Sequence, residues 1–172
     1  MDAKELRAVQ APLKARYRDD PATAMVTLSA RGTLDGTGLT CRLDTARGLV
    51  ESGLHPATGG DGLALCSGDL LLESLVACAG VTLRAVATAL ELTVRGGIVS
   101  AQGDLDFRGT LAIDKQVPVG FKEIRLQFDL ETDASAEQLE TLLKLTERYC
   151  VVYQTLKNAP TLSVSHRRVA ID

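Results

Sequence analysis

The sequence predicts an α+β fold in which an antiparallel sheet is wrapped on two helices. Segments with helical and with alternating hydrophobic periodicity follow one another along the chain, and one long segment is apolar on nearly every side. Aromatic residues make up only 3% of the 172 residues, so the core must be aliphatic. A chain of this length buries enough surface to form a core without disulfides or a metal ion.

The first predicted element is a helix over residues 3–17. Its apolar side chains recur at helical spacing: Leu6, Val9, Leu13 and Tyr17. Pro12 interrupts the pattern, which leaves one helix or two short ones as alternatives. The sequence DDPATA that follows indicates a turn. We expect residues 1–24 to be a helical extension and residues 25–172 to form the main domain.

Strands are predicted next. Residues 25–31 alternate weakly between apolar and polar, and residues 38–44 form the partner strand. Asp35 and Gly36 between them tolerate the positive φ of a hairpin turn. Residues 49–54 are a candidate third strand. The glycine-rich stretch HPATGGDG after them is typical of a flexible loop.

The longest apolar segment, Leu70–Leu92, predicts the central buried helix. Ser67 is the expected N-cap, and Asp69 places negative charge in the first turn, where the helix dipole favours it. The charged residues inside the segment would be costly in lipid, which argues against a membrane span. Gly80 lowers helix stability and therefore indicates close approach of another helix.

The second half of the chain begins with two strands. Residues 99–107 alternate, and Lys122–Glu131 alternates most clearly, with aliphatic and aromatic residues on one face and charged residues on the other. Such a pattern is typical of antiparallel strands that have one face on the core and one in water.

A helix and a final strand complete the prediction. Ser135 and Gln138 fit a capping box. From there one amphipathic helix is predicted to run through Leu156 and to stop before Pro160. Leu162–Ile171 is the last predicted strand.

Composition and charge exclude several function classes. The net charge is −3 and aromatic residues are scarce, so both duplex and single-strand nucleic-acid binding are disfavoured. The N-terminal segment has no apolar run after its charges, so no secretory signal is expected and the cytoplasm is the predicted location. The four cysteines, Cys41, Cys66, Cys78 and Cys150, contain no CxxC pair, so no metal and no cofactor is predicted.

The two histidines and the glycine-rich loop give weak signals. No GxSxG motif occurs, and His166 lies in a charged segment typical of a solvated strand. His55 precedes Pro56 in the loop and is interpreted as a loop residue, with a binding role near the core helix as the alternative. No GK[ST] follows residues 59–62, which favours a flexible loop over a phosphate site.

Cys78 and Cys150 carry more information. Cys78 lies in the middle of the apolar helix between Ser74 and Thr82, which form a narrow polar seam with it. Cys150 lies on the apolar stripe of the second helix. If the helices cross near Gly80, the two sulfurs approach, although spacing alone does not establish disulfide reach. Both also fit small buried apolar residues.

Two stretches resemble the OsmC/Ohr family. CSGDLLLESLVACAGVTL is similar to the family's first-cysteine helix, and LTERYCVVYQTLKNAP is similar to its second-cysteine helix. The resemblance covers residues 25–170. It implies an OsmC-like fold, an intertwined homodimer whose antiparallel sheets wrap around two central helices, with active sites at the dimer interface.

The resemblance also implies a function in stress defence. This is the thiol-dependent reduction of organic hydroperoxides or hydrogen peroxide, as in a Cys-based peroxidase. By matching motifs, Cys78 is the peroxidatic thiol and Cys150 the resolving thiol. An external dithiol reductant, a lipoyl protein or a thioredoxin-like protein, then restores both thiols. No membrane partner is expected.

In the family an arginine from an early hairpin activates the first cysteine. Arg31 is the best positional match; its rivals are Arg16, Arg18 and Arg42. A glutamate ten residues before the first cysteine holds that arginine in the family. Gly68 stands there in this chain, and the nearest substitute is Asp69.

Two further departures leave other readings open. Val151 follows the second cysteine where the family commonly has proline, and Cys66 is an additional candidate redox partner. The absence of a glutamate at position 68 favours a second function, a non-catalytic dimer that binds a small apolar ligand at its interface. A third is a subunit of a stress-response complex without a small ligand.

Overall fold

One long helix, α2 (Ser67–Ala89), packs against a four-stranded sheet and against two later helices. The structure is a computed structural model that describes residues 3–34, 41–43, 53–63 and 65–168, and the side chains of residues 8–27, 53–63 and 65–168. The predicted α+β class is confirmed, because helices pack on an antiparallel sheet. The division of the chain at residue 25 stays a prediction.

The N-terminal extension is one helix. Helix α1 spans Ala3–Asp19 and contains Pro12, so the single-helix alternative is confirmed. Its Tyr17 is fully buried. The predicted turn after it is a short 3-10 helix, Pro21–Ala24, which Asp20 caps by accepting a hydrogen bond from the Ala22 N–H.

The sheet is antiparallel throughout, in the order β2-β1-β3-β4. Its strands are β1 (Met25–Leu34), β2 (Cys41–Leu43), β3 (Val94–Asp106) and β4 (Glu123–Thr132). The predicted hairpin partners β1 and β2 do pair, and Asp35 and Gly36 lie outside the described residues. So does most of the candidate third strand, residues 49–52, and Gly53 and Leu54 are not in a strand.

The alternating apolar side chains of β3 are more deeply buried than those of β4. On β3, Val99 and Ala101 are fully buried beneath α2. Phe107, the predicted last residue of this strand, is also buried. It lies instead at the start of the one-turn helix α3 (Phe107–Thr110). The alternating apolar side chains of β4 are only half-buried: Ile124, Leu126, Phe128 and Leu130. This strand therefore keeps part of its apolar face uncovered in the single chain.

The start of α2 differs from the prediction. Cys66, not Ser67, is the N-cap, with an extended backbone and no capping hydrogen bond from its side chain. Ser67 is the first residue inside the helix, and Asp69 lies in the first turn as expected. The helix ends at Ala89, three residues before the predicted end. Gly80 is buried, and the close crossing predicted there stays a prediction.

By length and apolarity alone, α2 is long enough to cross a membrane, but half of its most apolar window is buried inside the fold. Arg84 within it is buried and donates to the Val94 carbonyl. A charged side chain that is hydrogen-bonded within the protein interior is typical of a core helix. These features favour a core helix over a membrane span.

The prediction of one continuous helix through Leu156 is wrong, because the helix is interrupted at Cys150. Helix α4 spans Ala136–Tyr149 and begins with the predicted Ser135–Gln138 capping box. Cys150 is extended (φ −71°, ψ 107°) and also forms the N-cap of α5 (Val151–Lys157), which ends before Pro160 as predicted. The Cys150 sulfur accepts the Tyr153 N–H at 3.4 Å, so a thiol takes the capping place usually held by an oxygen.

The predicted last strand is not formed by the residues described there. Residues 162–168 have no regular structure, and Leu162 and Val164 are 84% and 98% exposed. Strand pairing needs a neighbouring backbone with free hydrogen-bonding groups. The segment makes no such pairing within the described part of the chain.

The loop at residues 55–62 is more regular than predicted. It contains a 3-10 helix, Pro56–Thr58, with His55 as its N-cap. We call residues Pro56–Thr58 the docking turn, because α1 packs on it.

A buried carboxylate ties the end of β3 to its surroundings. The side chain of Asp106 is fully buried and bonds Arg108 (2.6 Å) and Lys122 (3.3 Å). The hydrogen bonds from Arg108, opposed by burial, lower the pKa of Asp106 from 3.8 to about 2. Its stabilising effect is therefore present above pH 4 and lost as the pH falls toward 2.

We predict that Asp106→Asn lowers the free energy of unfolding at pH 7 by about 1–3 kcal/mol, because the Arg108 and Lys122 charges lose a buried partner. Urea denaturation measures this. The matched control is Asp133→Asn, which breaks the exposed Arg95 pair at 2.7 Å and should change little. Equal losses of unfolding free energy in the two variants would contradict the stabilising role assigned to the buried Asp106 carboxylate.

Candidate functional site

The break between α4 and α5 brings Cys150 against the middle of α2. Cys78 is half-buried on α2, and Cys150 is 1% exposed. Each sulfur is the other's hydrogen-bond partner, and both are free thiols. The predicted pair is thus in contact, and one member is accessible from solvent.

The first turn of α5 supplies hydrogen bonds to both sulfurs. The first N–H groups of any helix have no partner within the helix. Here the Val151 and Val152 N–H groups donate to Cys78, and the Tyr153 N–H donates to Cys150. An unbroken helix would use these N–H groups internally, so the break at Cys150 is what makes them available.

A side-chain donor completes the surroundings of Cys78. Thr82 lies one turn further along α2 and its hydroxyl donates to the Cys78 sulfur. Burial raises the pKa of Cys78, but the hydrogen bonds from Val152, Cys150, Thr82 and Val151 outweigh it, so the pKa lies below its usual value. In the described part of the chain, the thiolate is thus favoured by neutral donors.

The second thiol has the opposite tendency. Burial, together with the neighbouring Cys78 thiolate, raises the pKa of Cys150 to about 11, although the Tyr153 N–H lowers it in part. At neutral pH this thiol stays protonated and can donate its S–H to Cys78. The two cysteines are therefore chemically unequal: Cys78 is the better nucleophile because a thiolate, not a thiol, attacks.

The other predicted site residues lie elsewhere or outside the described part. The backbone of Arg31 lies in β1, but its side chain is outside the described residues, as is that of Arg42. Arg16 is exposed and lies over the Tyr17 ring, 5.0 Å from its centroid. Arg18 is exposed in the last turn of α1.

Asp69 is separated from Cys78 by nine residues of α2. This is about two and a half turns and about 14 Å of helix, so the two side chains point to opposite sides. Asp69 faces His55 instead, and burial raises its pKa while His55 lowers it in part. That Asp69 holds an arginine stays a prediction.

Cys66 does not reach Cys78 within one chain. It caps the start of α2, and twelve residues of helix span about 18 Å, well beyond disulfide distance. Cys41 is in β2, and its side chain is outside the described residues. Among the described residues no group of His, Cys, Asp or Glu could hold a metal ion.

A groove of about 480 Å³ lies near the thiols, and its lining combines apolar side chains with the charged Lys122, Glu123, Glu147 and Lys157. The half-buried face of β4 forms one wall, and helices α2, α4 and α5 supply the rest. Leu75, one turn before Cys78, and Tyr153, next to Cys150, both line it. Such a mixed lining fits a small molecule that has an apolar body and a polar group.

Sequence reasoning identified the cysteines but not all of their donors. The sequence placed Thr82 in the polar seam around Cys78 but indicated no role for it. The Val151 and Val152 N–H groups were missed because the helix was predicted to be continuous. The adjacent β-branched valines after Cys150 are the signal that could have suggested a break.

The chain is similar to solved structures with an OsmC-like fold. One is an OsmC-like hydroperoxide resistance protein from Jannaschia sp. CCS1, with 22% identity, a TM-score of 0.57, and coverage of 87% of this chain and 96% of that chain. Another is an OsmC-like protein from Mycoplasma pneumoniae, with 15% identity, a TM-score of 0.55, and coverage of 75% and 86%. At such identities the likeness concerns the fold alone.

None of the curated proteins matches the sequence. The model of the family described as "OsmC-like protein" matches residues 59–165, more than half of the chain and including both Cys78 and Cys150. The chain therefore belongs to the OsmC-like protein family.

Proposed function

We propose that this protein is a thiol-dependent peroxidase that reduces organic hydroperoxides or hydrogen peroxide in the cytoplasm as part of a stress response. The observation that carries the proposal is the contact between an activated, accessible Cys78 and a protonated, buried Cys150. The hydroperoxide resistance protein with the same fold supports the peroxide as substrate class.

The first step oxidises Cys78 by two electrons. Its thiolate attacks the terminal peroxide oxygen, an S–O bond forms, and the O–O bond breaks. The leaving alkoxide, or hydroxide, takes a proton and departs as alcohol or water. Cys78 is left as sulfenic acid.

The second step uses Cys150. Its sulfur attacks the Cys78 sulfenic sulfur, the S–O bond breaks, and the released hydroxyl leaves as water with the Cys150 proton. An external dithiol, on a lipoyl or thioredoxin-like protein, then exchanges with the disulfide, becoming oxidised while both thiols are restored. Arg31 or one of its rivals is proposed to add positive charge at the peroxide.

A second candidate function is favoured by the groove. The apolar side chains in its lining would contact the apolar body of a small ligand bound by a non-catalytic protein. In that case the thiols are structural and the groove is occupied when the protein is purified.

We predict that one equivalent of cumene hydroperoxide produces a Cys78–Cys150 disulfide, located by mass spectrometry of peptides. Cys78→Ser should abolish peroxide consumption with dithiol. Cys150→Ser should still consume about one equivalent and accumulate Cys78 sulfenic acid, because the resolving step is blocked. Cys66→Ser is the matched control and should remain active.

Thiols that persist after this treatment would sink the peroxidase proposal. Native mass spectrometry of the same sample then decides the alternative, since a co-purified small molecule together with inert thiols supports the binding function.

The role of Thr82 gives a separate prediction. Thr82→Val removes one hydrogen bond to the Cys78 thiolate, which is worth about 1 kcal/mol, so the thiolate fraction near neutral pH should fall about fivefold. Alkylation of Cys78 by iodoacetamide, followed across pH, measures this. The control is Thr88→Val, whose hydroxyl bonds the Arg84 carbonyl on the same helix and should leave the rate unchanged. Equal rates in both variants would refute the role.

We also propose a homodimer, because one chain leaves apolar surface uncovered. The β4 face is half-buried, and Leu162 and Val164 near the C-terminus are almost fully exposed. A second copy of the chain that covered these side chains would bury both exposed apolar surfaces, on β4 and near the C-terminus.

Sedimentation should therefore give twice the chain mass of 18.3 kDa. Leu162→Lys with Val164→Lys should weaken the dimer, while Ser163→Lys with Ser165→Lys, on the alternate positions of the same exposed segment, should weaken it less. A monomer, or equal effects of the two pairs, would contradict a dimer that buries these apolar side chains.

A further inference from the structure

The docking turn is the surface on which the N-terminal helix sits. The Tyr17 hydroxyl of α1 donates to the Ala57 carbonyl at 2.7 Å, and the Gln10 amide donates to the Thr58 carbonyl at 3.1 Å. Gly59 ends the turn with a left-handed φ of +96°, and a Cβ there would lie 2.8 Å from Val9. The position of α1 thus depends on the shape of this turn.

His55 holds that shape through one ring nitrogen. Its Nδ1 accepts the Ala57 N–H at 3.0 Å, and its ring stacks on Phe107 with centroids 5.0 Å apart. A nitrogen that accepts a hydrogen bond carries no proton, so this contact requires neutral imidazole with its proton on Nε2. Since Nδ1 is committed to Ala57 and Nε2 is protonated, His55 is not a general base here.

Protonation removes the cap. Both ring nitrogens of imidazolium are donors, so Nδ1–H would face the Ala57 N–H and no hydrogen bond could form. The docking turn would then lose the hydrogen bond that holds the N–H of Ala57, the residue whose carbonyl accepts from Tyr17. The same charge would be attracted to Asp69, the carboxylate that acts on His55 from α2.

In the described part of the chain, charged groups on the packed elements, other than Asp69, have partners of their own or lie in solvent, and Arg18 and Asp19 at the end of α1 are exposed. On α2, burial and the Asp69 charge raise the pKa of Glu73. On α1, Arg16 lies over the Tyr17 ring and donates to its hydroxyl. Beside Phe107, Arg108 is paired with Asp106. In the loop itself, Asp61 is exposed and accepts the Leu63 N–H.

We propose that His55 is a proton-operated latch: its neutral ring holds the docking turn in the shape that binds α1, and its protonated ring releases α1. Release would uncover Tyr17, which is fully buried in the latched state.

The direction of the pH dependence follows from burial. Burial lowers the pKa of His55 from 6.5, and Asp69 opposes this only in part. The unfolded chain therefore binds the proton more readily than the folded one. The stabilisation from the latch is complete above pH 6.5 and is lost as the pH falls through the lower folded pKa.

The latch is separate from the thiol chemistry. The first turn of α2, which faces His55, is about 14 Å along the helix from Cys78. Helix α1 also lies outside the residues that match the family. A test of the latch therefore needs no peroxide. If either the latch or the peroxidase proposal fails, the other is unaffected.

Amide hydrogen exchange of the full chain at pH 7.5 and pH 5, corrected for the intrinsic rates, measures the release of α1. Protection in α1 and at Ala57 should fall about tenfold at pH 5, since one hydrogen bond is worth about 1 kcal/mol or somewhat more. Protection in β3 should not change.

Three variants separate the latch from general acid sensitivity. His55→Asn keeps an acceptor for the Ala57 N–H and does not titrate, so α1 should stay protected at both pH values. His55→Ala should leave α1 poorly protected at both. His166→Asn, which removes the chain's other histidine, should behave as the unmodified protein.

An α1 whose protection does not change with pH in the unmodified protein would overturn the proposal. So would a His55→Asn variant that loses α1 protection at pH 5 as the unmodified protein does.

Discussion

The interior position of α2 is the constraint on which the rest of the structure depends. Its side chains are apolar on nearly every side, so burial requires partners on more than one face. The sheet covers one part through β1 and β3, and α4 and α5 cover another. Because α5 meets α2 at Cys78, packing of the core also assembles the thiol pair.

The break at Cys150 gives this packing its chemistry. A continuous helix would have carried Cys150 on an apolar stripe with its neighbouring N–H groups satisfied internally. The break frees the first N–H groups of α5 and directs them to the two sulfurs. Neutral donors thereby favour the Cys78 thiolate, while burial keeps Cys150 protonated. The same few atoms cap a helix and distinguish two cysteines.

The sequence contains much of the fold but less of the site. Periodicity predicted β4 and the capping box at Ser135 because both are local patterns. It missed the break at Cys150, since the stabilising contact comes from Cys78 on α2, 72 residues earlier in the chain. Periodicity also predicted a C-terminal strand that residues 162–168 do not form. Their side chains alternate between apolar and polar, but they pair with no described strand. His55 was interpreted as a loop residue because its stacking on Phe107 joins residues that lie far apart in the chain.

The most direct test of this account is the separate titration of the two thiols. Competitive alkylation over a range of pH, with each cysteine quantified by mass spectrometry, reports both pKa values in one sample. The account predicts that Cys78 reacts with a pKa below the usual 9.0 of a thiol, while Cys150 stays unreactive until about pH 11. Equal titration of the two thiols, or earlier reaction of Cys150, would contradict it.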